Sequence, residues 1–104
     1  MAVYVIAQIG IHDRAEYEKY ADGSLDVFAR HQGELLVVSE NPVVVEGEWP
    51  YTRTVLMRFP SAEDAQRWYT SPEYQAIAQH RLRASTANAV IVEELPQVVG
   101  RRPG

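Results

Sequence analysis

The sequence predicts an α+β domain in which strands and helical regions alternate as β-α-β-β-α-β, the split βαβ order of an antiparallel sheet with its helices on one face. Three observations carry this: strict apolar alternation at the N-terminus, two helical stripes each opened by a capping side chain, and an apolar strand-like run from Ala87 to Glu94. A chain of 104 residues holds one compact domain. At that length folding hides roughly two-thirds of the unfolded surface, so the small core has to be dense or be supplemented by a partner. The domain is expected over residues 1–94, with 95–104 as a C-terminal tail.

The first strand follows from Val3, Val5, Ala7 and Ile9 alternating with Tyr4, Ile6 and Gln8, a pattern with apolar residues on both faces. Asp13 then opens a helix, with Glu16 three residues on as in a capping box. The helix is expected to reach about Gln32, with Gly33 ending it in a left-handed conformation. On a helical wheel Tyr17, Ala21, Ser24 and Phe28 share one face, and Glu18, Lys19, Asp22, Asp26 and Arg30 the other.

Leu35 to Ser39 reads as the second strand, and Val43-Val44-Val45, beyond Asn41-Pro42, as a short extension or separate strand. A turn-rich loop, Glu46-Gly47-Glu48-Trp49-Pro50, leads to a third strand near Thr52 to Phe59, with Arg53, Val55, Met57 and Phe59 on one face and Pro60 as its stop. Ser61 caps the next helix, which carries Ala65, Trp68 and Tyr69, and Ser71-Pro72-Glu73 restarts a second segment with the stripe Tyr74, Ile77, Ala78 and Arg81. In the tail, Val98-Val99 fits either packing across an interface or disorder. Because the first strand is apolar on both faces, the helix-free face also calls for cover, and a second copy applying the same face supplies it most economically.

Composition excludes several function classes. Fourteen acidic residues against ten basic ones give a net charge of −4, with Arg101-Arg102 the only basic block, so no nucleic-acid partner is expected. With no cysteine, disulfides, thiolate catalysis and Cys-based metal sites are ruled out. Met-Ala-Val-Tyr-Val-Ile at the start has neither a basic n-region nor a long apolar stretch, so no signal peptide or membrane contact is expected and the chain reads as cytoplasmic. Nucleotide-binding glycine motifs and the Gly-x-Ser-x-Gly elbow are absent.

What remains is a polar seam on the inward faces of the helices. Tyr20, Ser24 and His31 fall within about 40° of one another on the first wheel. Tyr74 and Arg81, seven residues apart, share a face of the later helix, and Arg53 opens a strand whose same-face successors are apolar. These residues suit a cleft with His31 as general base, Tyr20 and Tyr69 as proton donors or orienting groups, and Arg53 and Arg81 as clamp for a carboxylate or enolate. Tyr74, Trp68 and Glu46 complete the ligand-binding candidates, Glu46 through a loop able to close over a pocket.

Each candidate has a plainer role beside it. His31 near a helix C-terminus can cap carbonyls, the aromatics can be core, and Trp49 can anchor a turn. The arginines can be paired with Glu46, Glu48, Glu93 or Glu94. His12 and His80 do not pair with His31, so no metal site is expected. The leading expectation is a homodimer with a small-molecule pocket, performing cofactor-independent acid–base chemistry on an aromatic or enolisable metabolite. Its rival is a non-catalytic metabolite-binding or accessory protein.

Residues 3 to 94 also resemble a known family, domain-of-unknown-function family 1330, within the dimeric α/β-barrel group of ferredoxin-like folds. The resemblance rests on Tyr4-Val5-Ile6, Tyr17, Tyr20, His31-Gln32-Gly33, Glu46-Gly47-Glu48-Trp49, Arg53, Phe59-Pro60-Ser61, Trp68-Tyr69, Ser71-Pro72-Glu73-Tyr74, Arg81 and Val90-Ile91-Val92-Glu93. It implies the ferredoxin-like sheet pairing face to face in a dimer. The wider group includes cofactor-free monooxygenases, haem enzymes and small cyclases, so it implies cyclase-, isomerase- or monooxygenase-like chemistry without choosing one, and it is the only ground for haem binding through His31. Three positions depart from the family: Gln32 replaces a usual glycine, Glu34 a frequent basic residue, and Asn88 an expected aspartate.

Overall fold

The chain forms β1 (Val3–Ile11), α1 (Arg14–Arg30), β2 (Glu34–Ser39), β3 (Arg53–Phe59), α2 (Ala62–Thr70), α3 (Pro72–Ala84) and β4 (Ser85–Glu93). In this computed structural model, which describes residues 1–96, the strands make one antiparallel sheet in the order β2-β3-β1-β4. The predicted α+β fold is therefore present, with the second helical region split in two. The expectation for Val98-Val99 lies outside the described residues.

Central placement explains the double-sided pattern of β1. Val3, Val5 and Ile9 are buried towards the helices, whereas Tyr4, Ile6 and Gln8 are half-buried on the other face. On that second face stand Leu56 of β3, opposite Ile6, and the exposed Val37, Val90 and Val92 of the edge strands. No helix of the described residues lies over them, nor is any helix there long and apolar enough to cross a membrane.

Capping side chains set the helix boundaries. Asp13 accepts from the Glu16 amide at 3.1 Å, and Ser61 does the same for Asp64. Ser71 both ends α2 and starts α3: its hydroxyl donates to the Trp68 carbonyl at 2.8 Å and accepts from the Tyr74 amide, with Pro72 behind it in the first turn. At the end of α1 the structure corrects the expectation for Gly33. The Gly33 amide bonds the Phe28 carbonyl and the Gln32 amide that of Ala29, the paired bonds of a Schellman ending, but the left-handed residue is Gln32, at φ 66°. Gly33 is needed for space instead, since a Cβ there would lie 2.8 Å from Cζ of the fully buried Phe59. Gln32→Gly should raise stability by about 1 kcal/mol in urea unfolding, because glycine enters the left-handed region without the Cβ penalty. A loss of stability would show that the Gln32 side chain contributes more than its backbone costs.

A bulge between Leu35 and Val37 shifts the register of β2, so that Leu35 and Val38, three apart, both face the helices. Beyond β2 the Val43-Val44-Val45 strand does not form. These residues lie in an irregular loop, with Val43 and Val45 almost fully exposed, because no neighbouring strand is there to pair with. The same loop returns over the helix-free face: the Trp49 indole donates to Thr54 Oγ1 at 2.9 Å, and the Tyr51 ring sits on Gly10.

The core is aromatic where the helices meet β3, with Phe28 and Phe59 each 5.3 Å from Trp68 between ring centres. At the other end Glu16 of α1 bonds His80 Nδ1 and, at 3.0 Å, Arg83 of α3. These partners, the His80 hydrogen bond first, hold its carboxyl at about 2 instead of the usual 4.5. A depressed carboxylate pKa contributes stability that is present above the unfolded pKa and is lost as pH falls through the folded one. The stability difference between the parent chain and Glu16→Gln should therefore shrink between about pH 4.5 and pH 2. A difference that stays constant over that window would remove the clasp from the acid response.

Candidate functional site

Between the helices and the sheet lies a cavity of about 390 Å³, within the range of small-molecule sites. Its floor follows from residue size along β1 and β4: Ala7 sits opposite Ala89 and Ile9 opposite Ala87, so short side chains leave room where the rest of the sheet is filled. Leu35 and Val38, turned inward together by the bulge, extend the floor to the opposite edge.

The roof is polar and aromatic. Tyr17 and Tyr20 of α1 stand with ring centres 5.5 Å apart, the Arg53 guanidinium lying over Tyr17 at 5.2 Å and that of Arg81 over Tyr20 at 5.7 Å. Tyr20 and Tyr74 hydroxyls meet at 3.1 Å. Two hydroxyls share that one bond, which leaves one O–H free to donate elsewhere. Burial, followed by the neighbouring Tyr74, pushes the Tyr20 pKa well above that of an ordinary phenol, so Tyr20 remains a protonated donor.

The two cations differ in their surroundings. Arg53 donates to the Tyr17 hydroxyl at 3.1 Å and forms an ion pair with Glu40. Its partner is thus none of the four glutamates expected, one of which, Glu94, accepts instead from Tyr4. Arg81 has no carboxylate partner among the described residues. Burial acts to lower its pKa, and the phenols of Tyr74 and Tyr20 outweigh this and raise it, so it stays a guanidinium inside an apolar chamber. Leaving such a charge without a counterion is costly, which makes it an attractor for an anion.

Of the residues expected at the site, Tyr20, Tyr69, Tyr74, Trp68, Arg53 and Arg81 all line this cavity. His31 and Glu46 do not. The wheel carried His31 past the true end of α1. The residue is the helix cap, with a non-helical backbone, and its Nε2 is buried 3.7 Å from Glu73 Oε1. Glu46 is exposed in the loop that Trp49 pins to the helix-free face. Asn88 is on that face too, where its amide reaches Gln8 at 3.4 Å. Sequence reasoning missed Glu40 and the hydroxyl role of Tyr17. Ser39 stands opposite Thr54, so the next pair outward is Glu40 with Arg53, a relation that exists only after the bulge has set the register.

Comparison with known proteins gives a family and a fold. The family described as a domain of unknown function, DUF1330, matches residues 2–95. No curated protein matches the sequence. Among solved structures, a protein of unknown function from Rhodopseudomonas palustris is 14% identical with a TM-score of 0.76, covering 92% of this chain and 84% of that one. SnoaB from Streptomyces nogalater, a cofactor-independent oxygenase, is 16% identical with a TM-score of 0.63 over 96% of this chain and 98% of its own. A dimeric ferredoxin-like protein of unknown function from Jannaschia sp. CCS1 is 13% identical with a TM-score of 0.69, over 90% and 100% of the two chains. At such identities the likeness establishes the ferredoxin-like fold.

Proposed function

The chain belongs to the DUF1330 family, and we propose that its cavity binds a flat aromatic or enolisable metabolite as the anion and stabilises that anion without a cofactor. One observation carries the reading: Arg81, a guanidinium without a carboxylate partner among the described residues, sits in an apolar chamber beside the hydroxyl pair of Tyr20 and Tyr74. A carboxylate, enolate or phenolate placed there gains the cation and one phenolic donor, while its ring lies among Trp68, Tyr69 and the floor alanines. For an enol or phenol, the same contacts favour the ionised form, and SnoaB, which shares this fold, is named a cofactor-independent oxygenase.

A second reading is favoured by what lines the cavity: tyrosines, serine and two arginines, with neither a carboxylate nor an imidazole among the described residues to take a proton from carbon. On that reading the protein binds its metabolite and returns it unchanged. Titrating 7-hydroxycoumarin in the bound state tests the site. Its phenol should ionise at least one pH unit lower in complex than in water, and His31→Ala should leave that shift intact. An unshifted phenol would remove the anion-stabilising reading. Product that accumulates in proportion to protein concentration, once a natural ligand is recovered by native mass spectrometry, separates the enzyme from the binder.

The helix-free face enters the same proposal as the seat of a second copy. Ile6 and Leu56 in its centre and Val37, Val90 and Val92 at its edges form an apolar surface, and the Jannaschia protein of this fold is dimeric. Sedimentation equilibrium at micromolar concentration should give the mass of two chains, and Leu56→Glu that of one, because a charge at the centre of the pairing face would have to be buried. A parent chain sedimenting as one copy would remove the dimer.

A further inference from the structure

We propose that Glu40 sets the charge of the ligand. By occupying Arg53 in an ion pair it leaves Arg81 as the single uncompensated cation of the cavity among the described residues, so the site selects monoanions over dianions. The inference rests on the anion reading of the cavity given above.

Among the described residues lining the chamber, the two charged ones are Arg53 and Arg81, which by themselves would suit a dianionic ligand. They lie at the two ends of one ladder, Arg53 over Tyr17, Tyr17 beside Tyr20, and Arg81 over Tyr20. Glu40 breaks this symmetry from outside the lining. It forms an ion pair with Arg53 Nη1, while the Tyr17 hydroxyl accepts from Arg53 Nε. The Arg53 side chain is 19% exposed against 44% for Glu40, so the pair shields the cavity end from water with the carboxylate on the outer side.

Arg14 approaches Glu40 at 3.8 Å, but it is 65% exposed and its charge is screened by solvent. A second anionic group on a ligand would therefore have to displace Glu40 from Arg53, exchanging one ion pair for another while losing its own hydration. At the other end no such exchange is needed. Chemically, the favoured class is a planar aromatic with one acidic group and an uncharged far end.

Calorimetric titration of the full chain and its Glu40→Gln variant tests this with matched mono- and dicarboxylates of naphthalene and of biphenyl, two bodies that span the ladder differently. The parent chain should bind the monocarboxylate of each body more tightly. In Glu40→Gln the dicarboxylate of at least one body should gain about tenfold relative to its monocarboxylate, since Arg53 keeps its bond to Tyr17 but loses its counterion. A ratio unchanged within about twofold in both bodies would overturn the assignment and leave the anion reading standing. Failure of every probe to bind either protein would remove the anion reading and this inference together.

Discussion

Arg81→Met should bind 2-naphthoate about tenfold to a hundredfold more weakly than the parent chain while unfolding at nearly the same urea concentration. The binding loss follows from removing a charge-assisted hydrogen bond inside a chamber, worth about 1.5–3 kcal/mol. Stability should barely change for three reasons. Arg81 gives up no ion pair among the described residues. Methionine keeps much of the packing of the arginine stem. The stacking over Tyr20 that is lost, worth about 0.5–1 kcal/mol, is offset by no longer burying an uncompensated charge. Calorimetry and urea unfolding on the same preparation check both halves. Undiminished affinity would take Arg81 out of the site, and a large loss of stability would make it a structural residue.

The largest effect on folding is expected at the other end of the same layer. Phe59→Ala should cost about 3–5 kcal/mol, a large share of the roughly 5–15 kcal/mol available to a domain of this size. Phe59 ends β3 with no exposed surface, stacks on Trp68 at 5.3 Å and fills the space that Gly33 leaves open. Its removal leaves a void enclosed by the end of α1, α2 and the sheet, which cannot close because the Schellman bonds from Gln32 and Gly33 fix the chain there. The complementary change, Gly33→Ala, should destabilise as well, since the added Cβ meets the Phe59 ring at 2.8 Å and the Phe28 carbonyl at 3.1 Å. Urea midpoints measure both. A cost below about 1.5 kcal/mol for Phe59→Ala would mean that the end of the sheet repacks around the gap.

These expectations draw on different depths of information. The fold class, the caps at Asp13, Ser61 and Ser71, and the inward stripes of α1 and α3 were legible because each depends on neighbours within one or two turns. The same periodicity put Tyr20, Tyr74 and Arg81 on inward faces, and the structure brings them together around one cavity. A local pattern misleads where it extends beyond its element. The helical wheel of α1 continues past its end at Arg30 to His31, and Val43-Val44-Val45 has the composition of a strand without a strand to pair with.

By itself, then, the sequence determined the order of the elements, their buried faces and the absence of cysteine chemistry, since periodicity and composition act through short-range sterics and burial. Only the tertiary structure decided that one arginine is compensated and the other is not. Without the bulge in β2, the pairing Leu35 with Met57 would carry on to put Ser39 opposite Arg53. With it, Ser39 meets Thr54 and Glu40 meets Arg53, while Arg81 arrives over Tyr20 with no carboxylate partner among the described residues. A one-residue shift in register moves a charge from one partner to another and leaves no trace in the local pattern, because the pairing energy belongs to two strands at once.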